Sequence, residues 1–230
     1  LTGFAGFIGS QLLRDLLAKG YQVYGVDSMT TGSSLDNYSE FMGHPNFVYG
    51  KGDISSDAMM GFLPWDDFDY VINCAAESHV DRSWGDISGF VQSNIQGPIN
   101  LALRCKGSPK LKKFVQVSTD EVFHYRDNWP SDETSKISPR NIYSSSKASA
   151  EHFLLNFWEA YGLPLVITNG ANTYGPRQYK EKLIPKTIYK LSKGEQMTVY
   201  KTPARRMWLH VEDHSRGIIA AMERGAPGQR

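Results

Sequence analysis

Apolar residues along this chain fall into short continuous runs separated by stretches of helical spacing. Tyr21-Gln-Val-Tyr-Gly-Val26, Asn46-Phe-Val-Tyr49, Asp69-Tyr-Val-Ile-Asn-Cys74, Phe114-Val-Gln-Val117 and Pro164-Leu-Val-Ile-Thr168 have strand length. Continuous rather than alternating apolar character predicts strands buried on both faces, as in a parallel sheet. Between them, Ser10 to Lys19, Val91 to Cys105 and Ser144 to Tyr161 follow helical periodicity, and Gly20 and Gly162 supply stops. The helix over 144–161 carries Phe153, Leu154, Leu155, Phe157 and Trp158 around much of its circumference. It therefore requires cover on two sides, from the sheet and from a second subunit. Alternating strands and helices predict an α/β fold, a doubly wound parallel sheet with right-handed crossovers, over residues 1–171. From about Asn172 the pattern breaks into Gly/Pro-rich and basic segments, expected to form part of a smaller substrate-binding region over 172–230. The chain opens on a turn and stops just after an apolar segment, so the expectation is a fragment with its first strand largely missing and its C-terminal end cut.

Composition adds mainly exclusions. The 230 residues are 40% apolar and 21% charged, with a net charge of +1, ordinary for a globular protein. The basic clusters Lys110-Leu-Lys-Lys113 and Arg205-Arg206 are too short for a nucleic-acid surface, and suit a solvated loop and an anion site. No apolar run is long enough to span a membrane, and no signal peptide is visible, so a cytoplasmic enzyme is expected. Cys74 and Cys105 have no metal-ligand neighbours and are expected as buried thiols. His210-Val-Glu-Asp-His214 spaces two histidines by four, but Val211 stands where a zinc protease needs glutamate. Glu212 and Asp213 opening a helix is the preferred reading, with no metal site.

The candidate chemistry starts at Gly3-Phe-Ala-Gly6-Phe7-Ile8-Gly9, which runs directly into a helix. Glycines let a backbone approach a pyrophosphate, and the helix N-terminus offers it free N–H groups and a positive dipole end. Asp27 ends the next strand, where an acid accepts hydrogen bonds from both ribose hydroxyls of an adenosine and disfavours a 2′-phosphate. NAD rather than NADP is the expected cofactor. Asp53 beside Ile54 is placed to hold an adenine edge or to cap a turn, and Ala75-Ala76 permits close cofactor approach at a strand end. Ligands of such sheets lie over the carboxyl ends of the strands, so these residues, Asn172 and Ser118-Thr119-Asp120-Glu121 should converge.

Tyr143 and Lys147 are one helical turn apart. The ammonium, beside the positive nicotinamide ring of the expected cofactor, lowers the phenol pKa and makes Tyr143 a base for alcohol oxidation, with Ser118 and Thr119 available to the same oxygen. Asp120 and Glu121 put adjacent carboxyls in diverging environments, one suited to stay neutral as an acid and the other ionised as a base. Beside an alcohol oxidised to a ketone, that pair suits an elimination.

Gly3 to Gly9, Ala75-Ala-Glu-Ser-His-Val-Asp-Arg-Ser83, Ser118 to Val122, Tyr143-x-x-x-Lys147, Asn172-Thr-Tyr-Gly-Pro176, Glu181-Lys-Leu-Ile-Pro185 and Arg206 to His214 together resemble the extended short-chain dehydrogenase/reductases. Within them they are most similar to the nucleotide-sugar 4,6-dehydratases of the dTDP-glucose type, because of the Thr-Asp-Glu triplet. The resemblance implies Tyr143 as base at sugar C4, Lys147 holding it, Thr119 on the C4 oxygen, Glu121 at the C5 proton and Asp120 as acid at the departing C6 hydroxyl. It implies that Ser28, Thr30, Asp53, Ile54, Ser93 and Thr173 join the glycine turn and Asp27 around NAD. Ser78, Asn172, Lys182, Leu183, Thr198, Tyr200 and Arg206 would grip a dTDP- or UDP-glucose, and a homodimer would form through helices at about 91–104 and 144–161. Against the family pattern, Phe123-His124, Asn169-Gly170 and Met207 depart. The alternatives are a 4-epimerase or decarboxylase of the same fold, or a non-catalytic NAD-binding protein.

Overall fold

The structure is a computed structural model describing residues 1–56, 61, 63–78, 83–123, 131–197 and 206–230. Five parallel strands form its centre: β1 (Val23–Asp27), β2 (Phe47–Lys51), β3 (Tyr70–Asn73), β4 (Lys113–Thr119) and β5 (Leu165–Gly170). β2 pairs with β1, and β3, β4 and β5 pair in that order. Thr2 joins the two halves by parallel bridges to Val26 and Asn73. Gln229 bridges Val166 on the outer side of β5, where its carbonyl accepts from the Ile167 N–H at 2.9 Å.

Helices cover both faces. β4 is buried from Phe114 to Thr119, and its residues alternate between two cores, as a pleated strand requires. Val115 and Val117 pack with Leu12, Leu13 and Leu16 of α1 (Phe7–Ala18) and with Ile218, Ile219 and Met222 of the last helix. Phe114 packs on the other side with Leu101 and Cys105, Leu154, Leu165 and Ile167. Those partners come from α3 (Gly97–Cys105), α4 (Ile142–Tyr161) and β5. The predicted helix over 91–105 begins earlier. It consists of α2 (Ile87–Val91), a π turn (Gln92–Gln96) and α3 in succession.

β6 (Asn172–Tyr174) and β7 (Trp208–His210) form a separate parallel pair, and α5 (Leu183–Ser192) buries no residue. α6 (Val211–Arg224) instead joins the main fold, because its stripe of Val211, Ile218, Ile219 and Met222 is buried, with the last three packed against α1. The expected all-round apolar helix is also partly covered by its own chain. Leu155, Phe157 and Trp158 pack against the core, and a Cβ at Gly228 would meet the Trp158 ring at 2.4 Å. Phe153 and Tyr161 stay about half exposed.

Asn73 and Gln116 interrupt the apolar runs of two central strands with side chains of 0% exposure. They are satisfied by one another: Thr2 Oγ1 donates to Asn73 Oδ1 (2.6 Å), and Asn73 Nδ2 donates to Gln116 Oε1 (2.8 Å). Buried polar groups are tolerated when paired in this way.

Candidate active site

The glycine turn is built by close approach. Gly3 adopts φ +69°, and a Cβ there would lie 2.8 Å from Ala75 Cα. A Cβ on Gly9 would lie 1.9 Å from the Gly3 carbonyl oxygen. No side chain caps α1, whose N-cap is Gly6, so its first-turn N–H groups remain available to an anion. The residues therefore fit a dinucleotide pyrophosphate. Asp27 is 5% exposed and accepts from the N–H of Ala5 (3.0 Å) and Met29 (2.8 Å) and from the Ser33 hydroxyl (2.6 Å). Three of about four acceptor positions of the carboxylate are thus filled. Accepting both ribose hydroxyls requires Ser33 to turn away.

Two asparagines hold the neighbouring loops. Asn100 Nδ2 donates to the carbonyls of Ile54 (3.1 Å) and Ser55 (3.0 Å), and Ile54 fills the space over Gly97. Asn94, in the π turn, accepts from Glu77 N (2.8 Å) and donates to Glu77 O and Ser146 Oγ (both 2.9 Å). Neither residue stood out in the sequence, where both look like polar helix positions.

β4 delivers the focal residues. Ser118 lines the cleft, and its hydroxyl donates to buried Glu151. Thr119 caps the 3₁₀ turn Asp120–Val122, accepting from Glu121 N at 3.2 Å. The Asp120 carboxyl is pushed up to about 6, first by burial and then by the Glu121 charge, against the Thr119 hydrogen bond and the Arg206 charge. Glu121 Oε2 accepts from Asn141 Nδ2 at 3.0 Å. Lys147 is 4% exposed and donates to the Val117 carbonyl at 2.7 Å. Burial lowers it to about 8, while Cys74 and Glu151 oppose. The Tyr143 phenol is raised above its ordinary range by burial first and by the Glu121 charge, with a Thr119 hydrogen bond opposing. Burial also pushes the Cys74 thiol, at the end of β3, up to about 12.

A cleft of about 370 Å³ over the carboxyl ends of the strands gathers these side chains. It is lined by Gly3, Gly6, Phe7, Ile8, Gly9, Asp27, Ser28, Thr30, Asp53, Ile54, Ala75, Ala76 and Ser93 on one side, and by Thr119, Asp120, Glu121, Tyr143 and Lys147 in the middle. Ser78, Asn172, Thr173, Lys182 and Leu183 line it further on. Arg206 is exposed and reaches the site through its effect on Asp120. Thr198 and Tyr200 lie outside the described residues, as does His124.

His214 was not anticipated as a cleft residue. It is 6% exposed and lines the cleft. Its Nδ1 shares a hydrogen bond with Thr173 Oγ1 at 2.8 Å, and a Cβ on Gly170 would strike its Nε2 at 2.3 Å. Its register i+4 from His210 serves packing. His210 itself caps α6, and Glu212 and Asp213 occupy the first turn. Among the described residues no cluster of His, Cys, Asp and Glu is arranged to hold a metal ion. No described helix is long and apolar enough to cross a membrane.

A profile of the family described as GDP-mannose 4,6 dehydratase matches residues 1–230. The dTDP-glucose 4,6-dehydratase of Streptomyces griseus is 40% identical over 234 residues, which are 100% of this chain and 70% of that enzyme. The dTDP-glucose 4,6-dehydratase DesIV of Streptomyces venezuelae, solved with NAD bound, superposes with a TM-score of 0.89 at 34% identity, covering 99% of this chain and 72% of that one. The UDP-glucuronic acid 4-epimerase of Bacillus cereus, solved with UDP-glucuronic acid and NAD, has a TM-score of 0.89 at 28% identity, covering 99% and 74%.

Proposed function

The chain belongs to the GDP-mannose 4,6 dehydratase family of extended short-chain dehydrogenase/reductases, and from that premise we propose that it is an NAD-dependent nucleotide-sugar 4,6-dehydratase acting on dTDP-glucose, with UDP-glucose as the second candidate. The observation that carries the reading is the Asp120–Glu121 pair. One carboxyl is held up to about 6 and the other is tied by a single oxygen to Asn141, both on the turn after β4 and both facing the cleft. Two carboxyls in divergent environments supply an acid and a base, and a 4-epimerase has no use for them.

When bound, NAD supplies the acceptor for the hydrogen lost from sugar C4 and the donor of the one gained at C6, and its positive ring favours an ionised phenol. The glycine turn, Asp27 and the Ile54 loop hold it. Tyr143 takes the C4 hydroxyl proton while Thr119 hydrogen-bonds that oxygen and Lys147 supports the phenolate. The C4 ketone acidifies C5–H. Glu121 removes that proton, the electron pair forms C5=C6, and the C6–O bond breaks as Asp120 protonates the leaving hydroxyl to water. Glu121 returns its proton to C5 when C6 is reduced, and the proton held by Tyr143 passes through solvent to reload Asp120. The balance is loss of one water. Ser78, Asn172, Lys182, Leu183 and Arg206 grip the sugar nucleotide. Val91, Leu103, Phe153 and Tyr161, all about half exposed, form the proposed dimer face of α2, α3 and α4.

Incubation of the protein with NAD and each sugar nucleotide, followed by mass spectrometry, tests this. Loss of one water is expected. An unchanged mass with inversion at C4 would assign the 4-epimerase reaction instead.

A further inference from the structure

The geometry points to Asn141 as the positioning residue that aims the Glu121 carboxylate while it starts the helix carrying Tyr143. Resting on the 4,6-dehydratase reading above, this adds a residue to the elimination step that neither touches the sugar nor belongs to the acid–base pair.

Asn141 is the N-cap of α4, in extended backbone geometry (φ −144°, ψ 168°). Its Oδ1 accepts from Ser144 N at 2.7 Å, and its own N–H donates to Ser144 Oγ at 3.2 Å. This reciprocal capping box commits the carbonyl side of the carboxamide. Because the carboxamide is planar, its NH₂ then has one direction in which to point. That direction is Glu121 Oε2, 3.0 Å away. The contact is partly buried and charge-assisted. It pins one oxygen of Glu121 and leaves Oε1 to receive the C5 proton. Since Tyr143 sits in the first turn of the same helix, a single carboxamide sets the two proton acceptors relative to one another.

The residue type follows from this double duty. Ser, Thr and Asp cap helices about as well as Asn. Ser and Thr have no second arm to reach Glu121. Asp would set a negative charge against a carboxylate that already acts on Asp120 on its own turn and on the Tyr143 phenol on α4, with the Arg206 charge opposing at Asp120. Of the good caps only Asn both starts the helix and donates to the base.

The test compares wild type, Asn141→Ser and Asn141→Asp, each of which keeps the cap, with the sugar nucleotide that wild type dehydrates. We expect kcat for water loss to fall about 10- to 100-fold in Asn141→Ser, the value of one hydrogen bond to a charged group, with KM and melting temperature little changed. The isotope effect on kcat with substrate deuterated at C5 should rise, because proton removal becomes slower relative to the other steps. In Asn141→Asp the acid-side limb of the pH–rate profile should move to higher pH, because a second negative charge disfavours an ionised base. Wild-type dehydration with unchanged kcat, isotope effect and pH profile in both variants would overturn the assignment of Asn141 alone. Absence of dehydration by wild type would overturn the functional reading and this inference with it. Should Asn141→Ser not fold, Asn141→Asp decides by its pH profile.

Discussion

Ser118 donates its hydroxyl to Glu151, a carboxylate of 0% exposure one helical turn beyond Lys147. The same carboxylate accepts from Asn169 Nδ2 at 2.7 Å and from Arg230 Nε at 3.2 Å, and Asn169 also donates to the Thr119 carbonyl at 3.2 Å. Glu151 therefore ties the ends of β4 and β5 together beneath the cleft. Asn169, one of the departures from the family pattern, fits as a neutral partner in this network.

Replacing Glu151 by Ala strands three donors, one of them the guanidinium of Arg230. Stability should fall by about 3 kcal/mol, lowering the melting temperature by roughly 10 °C in calorimetry. Glu151→Gln should fold better and show a separate effect. Lys147, already lowered to about 8 by burial, loses one of the groups that opposes the shift. The alkaline limb of activity should move to lower pH, since the ammonium is lost earlier as pH rises.

Asp120→Asn separates catalysis from stability. Loss of a positioned general acid should reduce dehydration about 100- to 10,000-fold. The folded protein raises this carboxyl to about 6, above its ordinary value. A raised acid contributes stability below its unfolded pKa and loses that contribution as pH rises through about 6. The variant should therefore gain about 1–2 kcal/mol over wild type at pH 7.5, after allowance for partial exposure, and little at pH 4. Denaturant titrations at the two pH values check both the sign and the size.

Gly9→Ala should abolish tight NAD binding, because the new methyl would collide with backbone that has no room to move, 1.9 Å from the Gly3 oxygen. Calorimetric titration should show at least about a hundredfold loss, which corresponds to about 3 kcal/mol. Gly50→Ala is the control: nothing lies within 4 Å of its Cβ position, and binding should be unchanged.

His214 is lowered to about 4 by burial. A depressed histidine gives stability that is full above its unfolded pKa near 6.5 and is lost as pH falls toward 4. His214→Gln should flatten that acid limb by on the order of 2–3 kcal/mol in melts between pH 7 and 4. An unchanged slope would remove His214 as its source.

How far the chain could be read in advance follows from where each partner lies. The glycine turn, Asp27 and the strand runs are local patterns, and periodicity carries them. Tyr143, Asp120 and Glu121 were legible because their chemistry is carried by neighbours in sequence. Asn94, Asn141, Glu151 and His214 were not. Each looks like an ordinary solvated or capping residue until packing brings it to a partner 17 to 41 positions away. Ser118 belongs with them, since its bond to Glu151 joins residues 33 positions apart. The membership of α6 in the main core was hidden because its apolar stripe names no particular neighbour.

The bridge made by Leu1 to Gly3 also sets an order in time. Among the described residues, the β1–β2 pair and the β3–β4–β5 trio share a sheet only through this segment, with Gly3 N donating to Val26 O at 2.8 Å and Thr2 N to Ile72 O at 3.0 Å. Its partners lie up to 73 residues away, and such distant contacts form slowly because loop closure comes first. These residues thus wait for β3 before they are held. The phosphate turn that follows them closes late, and the amides of Thr2 and Gly3 should be among the last of the sheet to gain protection in pulse-labelled refolding.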